Sequence, residues 1–250
     1  TMSDRSADTI AAIATAPGRG AVGILRLSGP RAFGIAEKIG GPLPVPRTVA
    51  LRVFLDAQGA RCDSGLGICF DAPRSYTGEA VVEMQGHGGP AVLELLLGAA
   101  CSHGARRARP GEFSERAFLN GRLDLTQAEA VADLIDASSR AAVLAAHRAL
   151  DGEFSQRVQA IAGRLLNLRV FVEGALDFSD EDIDWLSDTQ LAQSMMETDL
   201  EVAQLLAQAA QGRRLREGMV VAIAGRPNVG KSTLLNRLAR ADVAIVSEIA

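Results

Sequence analysis

The residues best suited to chemistry in this sequence form one contiguous run, Gly225-Arg226-Pro227-Asn228-Val229-Gly230-Lys231-Ser232. The run fits G-x-x-x-x-G-K-[ST], in which a glycine-rich loop turns backbone N–H groups towards phosphate oxygens. A following helix would add the partial positive charge of its N-terminus. In that pattern Lys231 reaches the β- and γ-phosphates of a nucleotide and the Ser232 hydroxyl ligates Mg²⁺. Basic side chains here are otherwise almost all arginine; Lys38 and Lys231 are the only lysines. One of the two sits where the pattern demands it. The plainer alternative, a glycine turn between two elements, leaves that placement unexplained.

A second group, Arg106, Arg107, Arg109, Arg116 and Arg122, falls within seventeen residues, with Phe113 and Phe118 among them. It suits an anionic ligand or RNA. It equally suits solvated arginines around a helix whose phenylalanines face a core, and composition favours that second reading. Three weaker signals are set aside. Gly18-Arg19-Gly20-Ala21-Val22-Gly23 matches a dinucleotide fingerprint, but β-type residues follow it where a helix is required. Asp180 to Asp184 alternates acids like a calcium loop, yet Trp185 and Leu191 stand where glycine and glutamate are needed. His87, His103 and His147 are scattered.

The elements around these groups follow from patterning. Met219–Ala224 is an apolar run of strand length, and Thr233–Leu238 reads as a helix, so the phosphate loop has a strand–loop–helix setting. Residues 9–120 mix strands and helices. Strands are expected at Thr9–Ala14, Val22–Ser28, Val49–Leu55, Leu66–Phe70 and Val81–Met84. Helices are expected after Gly29-Pro30 and over Pro90–Ala100. From residue 123 to 217 helical periodicity takes over. Ala128–Ala149 reads as one alanine-rich helix. Phe154, Val158, Ile161, Leu165, Leu168 and Val172 form an apolar stripe, as do Leu191, Met195, Thr198, Val202, Leu205 and Ala209. Such stripes predict packed antiparallel helices, with Met195 and Met196 as core filler.

Composition narrows the class. The chain has 250 residues, 48% of them hydrophobic, and a net charge of −4. That is long enough for one to three domains with a real core. No global basic field advertises nucleic acid, so any such contact needs a local patch. Cys62, Cys69 and Cys101 form no C-x-x-C pair, which points to reduced thiols and a cytoplasmic setting. Met2 to Ser6 lacks a signal-peptide layout. Only the opening strand, loop and helix of a nucleotide-binding domain are in evidence, so a truncated domain is expected.

Several stretches taken together resemble one family. They are Ala16–Gly20 with Ile24–Gly29, Ser75–Glu79 running to Gly86–Gly89, Arg109–Leu125 continuing through Gln127–Ala130, and the phosphate loop. This set is similar to the MnmE (TrmE) family of tRNA modification GTPases. The resemblance implies a multidomain α+β protein. Residues 1–121 would be a mixed α/β domain that binds tetrahydrofolate and forms a homodimer. Residues 122–217 would be the first part of an antiparallel helical domain. Residues 218–250 would begin a truncated Ras-like P-loop domain. With an FAD-dependent partner subunit (MnmG, or GidA), such proteins install an aminomethyl-type group on the wobble uridine of certain tRNAs. A 5-formyl- or 5,10-methylene-tetrahydrofolate supplies the carbon, and K⁺-assisted GTP hydrolysis drives the cycle.

Carried over by position, the resemblance places folate contacts on Arg26, Glu83 and Arg122. GTP contacts fall on Asn228, Val229, Gly230, Lys231, Ser232 and Thr233. Mg²⁺ falls on Ser232, and K⁺ on Asn228, Ser247 and Ile249. Arg122 stands where many relatives have lysine, which keeps charge but changes donor geometry. The rest of the switch, the magnesium loop and the guanine reader are absent, so no catalytic residue is assigned and the 250-residue chain is expected to be inactive as a GTPase. A ribosome- or RNA-associated assembly GTPase with an N-terminal dimerisation module is the alternative. That alternative gives no reason for Arg26, Glu83 and Arg122 to converge. A stand-alone folate-binding module with a vestigial P-loop is a third reading.

Overall fold

The structure is a computed structural model that describes residues 8–177, 188–217, 222–226 and 229–239. It divides into two compact units, residues 1–185 and 186–250.

The first unit is built on a six-stranded sheet ordered β3-β4-β5-β2-β1-β6. The strands are β1 (Ile10–Ile13), β2 (Gly20–Ser28), β3 (Val49–Leu55), β4 (Arg61–Phe70), β5 (Val81–Gly88) and β6 (Arg106–Arg107). All neighbours pair antiparallel except β1 and β6, which are parallel. All five expected strands form, with shifted ends. β4 begins at Arg61 rather than Leu66, because Asp56 closes a tight hairpin: its N–H bonds Ala60 O at 2.8 Å and its carboxylate accepts from the Gln58 and Ala60 amides at 2.9 Å. β6 lies outside the expected strands, since two arginines carry no strand pattern. It forms because the Arg106 amide donates to Thr9 O at 2.8 Å.

Strand alternation gives the sheet two different faces. Leu25, Leu27, Cys69, Val82 and Met84 point to one side and are buried. Helices α1 (Ala32–Gly40) and α2 (Pro90–Ser102) cover that side with Ile35, Ala36, Ile39, Leu96, Leu97 and Ala100. Proline opens α2 at its first turn, where a missing N–H costs nothing. On the other side, register aligns Arg26 with Glu83 and Glu83 with Ile68.

Beyond the sheet come α3 (Glu112–Leu119), α4 (Leu125–Asp136), α5 (Arg140–Leu150) and α6 (Glu153–Asp177). The single helix expected over Ala128–Ala149 is two. Ala137 adopts an extended conformation, and Ser139 caps a new helix by accepting from the Ala142 amide at 3.2 Å. Alanine-rich periodicity runs straight through this break, while one serine cap restarts the ladder. α4 starts with a full capping box between Asp124 and Gln127. α6 spans the expected stripe, but Val158, Leu165 and Val172 are each 40% or more exposed. The stripe is therefore not covered as expected among the described residues.

The second unit holds α7 (Asp188–Glu217) and α8 (Lys231–Ala239). Met195 and Met196 are 57% and 73% exposed, so they are not core filler. Ala222–Gly225 carry no regular secondary structure, and residues 219–221 lie outside the described residues. The strand expected before the phosphate loop is thus not seen over its last part, since no neighbouring strand among the described residues supplies a ladder there. The acidic run 180–184 also lies outside the described residues. Among the described residues, no helix is long and apolar enough to cross a membrane.

Candidate functional site

Arg26 and Glu83 meet on the face of the sheet opposite the two helices. Arg26 donates from Nε to Glu83 Oε1 at 2.8 Å, and its Nη2 lies 2.7 Å from the same oxygen. The side chains are 28% and 16% exposed, so the pair is reachable but shielded. Among the described residues Glu83 Oε2 accepts no hydrogen bond, which leaves one carboxylate oxygen free for a ligand donor. The Arg26 guanidinium also sits 5.5 Å from the Tyr76 ring centroid and 5.7 Å from that of Phe113. Aromatic faces attract a cation and limit its rotamers. Tyr76 is itself fixed by a 2.8 Å hydrogen bond between its hydroxyl and Ser114 Oγ.

Arg122 is not in contact with this pair. It follows α3 and donates from Nε to Ser75 O at 3.2 Å. The link to Arg26 runs through the loop Ser75–Glu79, since Tyr76 is the next residue after Ser75. Asn120 holds the same loop by donating to Thr77 O at 2.7 Å. Gly78 has φ +80°, and a Cβ there would lie 3.1 Å from Arg122 Cγ. Glycine is therefore required for the loop to lie against residues 120–122.

Beneath the loop is a charge network that sequence reasoning missed. Arg116 is nearly buried and donates from Nη1 to both Glu79 carboxylate oxygens at 3.2 Å and to Asp8 O at 3.0 Å. Its Nη2 bonds the Asp8 carboxylate. Ser28 donates to Glu79 Oε2 at 2.6 Å. Arg106 forks onto Glu112 at 2.6 and 3.0 Å and also bonds Asp8. Hydrogen bonds from Arg106 pull the Glu112 carboxyl down from its ordinary 4.5 to about 2, against the opposing effect of burial. For Asp8, burial alone would raise the carboxyl, but bonds from Arg106 and Arg116 hold it below its usual value.

The arginine cluster is therefore not simply a set of solvated arginines. Arg107 pairs with Glu94 and Arg109 with Glu115, so four of the five arginines are matched to carboxylates within the unit. The phenylalanines do not face the core either: Phe118 is 40% exposed and Phe113 lies against Arg26. The buried faces of α3 are Glu112, Arg116 and Ala117. The only prior signal was the spacing of Glu112 and Arg116, one helical turn apart.

The phosphate loop belongs to the second unit. Gly230 has φ +90°, a left-handed conformation that suits glycine. α8 starts at once with Lys231, and Gly230 O accepts its first helical bond from Leu234 at 2.9 Å. The amides of Lys231, Ser232 and Thr233 thus lie in the first turn, free of helical partners. Lys231 Nζ donates to Gly225 O at 3.0 Å and to Arg226 O at 2.7 Å. The ammonium arcs back over its own loop, where a bound phosphate would meet it. Val229 is 61% exposed beside it. Asn228, Ser247 and Ile249 lie outside the described residues.

Two family models match the chain. One, described as the GTP-binding protein TrmE N-terminus, matches residues 9–122. The other, the MnmE helical domain, matches residues 125–245. Curated relatives named tRNA modification GTPase MnmE are similar over nearly all of it. The protein of Chromohalobacter salexigens is 56% identical over 97% of this chain and 53% of its own length. That of Saccharophagus degradans is 53% identical over 100% and 55%. That of Thiobacillus denitrificans is 55% identical over 97% and 54%. The chain spans about half the length of these relatives.

Proposed function

The chain belongs to the MnmE (TrmE) family, and from that premise we propose that it is the folate-binding and nucleotide-binding portion of a tRNA modification GTPase. The observation that carries the proposal is the Arg26–Glu83 pair, with the guanidinium over the Tyr76 and Phe113 rings and one carboxylate oxygen free. A carboxylate of this kind accepts hydrogen bonds from the amino-pyrimidine edge of a pterin. Arg122, one loop away, would meet a carbonyl or the glutamate tail. A tetrahydrofolate held there, 5-formyl- or 5,10-methylene-, supplies the one-carbon unit. The residues of this chain bind and orient it.

The phosphate loop adds the second half of the reading. Gly230 and the amides of Lys231, Ser232 and Thr233 suit the phosphates of GTP, with Val229 and Asn228 completing the loop. Ser232 is the Mg²⁺ ligand, and Asn228, Ser247 and Ile249 are the K⁺ ligands. The division of the whole is residues 1–121, 122–217 and 218–250. Its setting is cytoplasmic, with a homodimer through the N-terminal domain, an FAD-dependent MnmG subunit and tRNA as partners. The reaction is aminomethyl-type modification of a wobble uridine, coupled to GTP hydrolysis. An assembly GTPase does not account for a shielded carboxylate–guanidinium pair on the sheet.

Calorimetric titration of the chain with 5-formyltetrahydrofolate tests the proposal. Binding is expected in the wild type and loss of at least about thirtyfold in Glu83→Ala, from removal of charge-assisted bonds each contributing about 1.5–3 kcal/mol. A folded wild-type chain that binds no folate would overturn the reading.

A further inference from the structure

A concave cleft of about 360 Å³ lies on the helical side of the first unit, between α1 and the end of α2. Its lining is Pro30, Arg31, Gly34, Ile35, Lys38 and His103. Three of these six residues can carry positive charge and none is acidic, in a chain whose net charge is −4. Among the described residues, no carboxylate pairs with Arg31, Lys38 or His103. That distinguishes the cleft from the arginine cluster, where the guanidinium groups of Arg106, Arg107, Arg109 and Arg116 are matched to carboxylates.

Arg31 is also held in place. Its Nη2 donates to His103 O at 3.2 Å, leaving Nη1 and Nε open. The guanidinium lies against Gly104: a Cβ there would sit 2.6 Å from Arg31 Nη1. Gly104 has φ +102°, so glycine serves both the turn and the seat for Arg31. Gly34 also lines the cleft, with nothing within 4 Å of where its Cβ would be. Lys38 is one of only two lysines in the chain, and the other lies in the phosphate loop. An ammonium acts on phosphate as a strongly hydrated point charge, and an arginine fork adds direction.

We propose that the Arg31–Lys38–His103 cleft binds a backbone phosphate of RNA, giving this chain a contact with tRNA separate from the folate and nucleotide sites. The inference rests on the tRNA reading above, and only the occupant depends on it. A phosphodiester positions RNA without reading its sequence, so the cleft serves register and affinity, not choice of base.

The test is fluorescence anisotropy of labelled bulk tRNA with the full chain, over about 50 to about 300 mM KCl. Three proteins are compared: wild type, Arg31→Ala/Lys38→Ala, and Gly34→Trp, which fills the cleft without changing charge. Each is first checked by its thermal melt and by folate titration. The double variant is expected to bind about tenfold more weakly, with a salt slope shallower by about one for each phosphate it no longer neutralises. Gly34→Trp is expected to weaken binding as well. Unchanged binding in the double variant overturns the proposal. So does weakening in the double variant alone, which would mark a diffuse charge effect. Wild-type chain that binds folate but no tRNA overturns RNA as the occupant and leaves the folate reading standing; loss of both would sink the two together.

Discussion

Arg26 and Glu83 are 57 positions apart and meet only because β2 and β5 pair in one register. The residues of the phosphate-loop motif fall within eight consecutive positions and need no register at all. The first site is a product of the whole sheet. A one-residue slip of β5 would send Glu83 to the helix side and end it. The second is a local conformation, set by Gly230 and the start of α8. The sheet site is also anchored from below: Arg116, Glu79, Asp8, Arg106 and Glu112 lock the loop that presents Tyr76. The phosphate loop has no such foundation among the described residues, and its lysine is satisfied by the loop's own carbonyls. A site assembled from distant strands needs a rigid frame, while a loop site can be finished by its ligand.

The strongest way to break this contrast is to remove the anchor. Arg116→Ala leaves the carboxylates of Glu79 and Glu112 shielded with a cation missing. Breaking a buried pair from one side costs about 3–5 kcal/mol. Urea melts followed by circular dichroism should show a loss of that order for the first unit. A loss below about 1 kcal/mol would mean that the network contributes little to the frame. Acid offers an independent probe of the same cluster. The Glu112 carboxyl is lowered from 4.5 to about 2, so its contribution is complete above pH 4.5 and disappears as the pH falls towards 2. Melts across that window should therefore lose stability steadily. Glu112→Gln should flatten the acid limb while lowering stability near neutrality; an unchanged acid limb would contradict the assignment.

The same contrast explains what could be read in advance. The phosphate loop was legible as a motif because its chemistry is contiguous. The five main strands were legible because apolar alternation and turn residues mark them locally. Arg26 and Glu83 could be placed only through family resemblance, since no spacing rule links positions so far apart. Residues of the anchor were hidden for a further reason: burial of Glu112 and Arg116 depends on partners from the N-terminus and from another loop. Their charge argued for the surface, and only the fold reverses that. The break at Ala137–Ser139 shows the opposite failure, where strong alanine periodicity masked a single capping serine.

Independence of the two sites follows if they are built so differently. Lys231→Ala should weaken nucleotide binding by about 2–3 kcal/mol, through loss of a charge-assisted contact, and leave folate titration unchanged. Equilibrium binding of a fluorescent guanine nucleotide, run beside folate calorimetry on the same variant, reads both. A shift in folate affinity in Lys231→Ala would show that the sites communicate, and the contrast between a framed site and a free-standing loop would have to be abandoned.

The smallest effect is expected at Arg122, and it sharpens where the proposed folate site ends. Its guanidinium reaches Ser75 O through Nε and touches neither Arg26 nor Glu83. Arg122→Lys keeps the charge and gives up the fork. If Arg122 meets the ligand as a point charge near a carboxylate tail, lysine should serve almost as well, within about 1 kcal/mol. If it instead holds the Ser75–Glu79 loop so that Tyr76 stays against Arg26, the substitution should loosen that loop and weaken pterin binding even for a ligand without a glutamate tail. Titrating Arg122→Lys with 5-formyltetrahydrofolate and with a tail-less pterin separates the two. Equal small losses for both ligands place Arg122 in the frame, and a loss confined to the tailed ligand places it in the pocket.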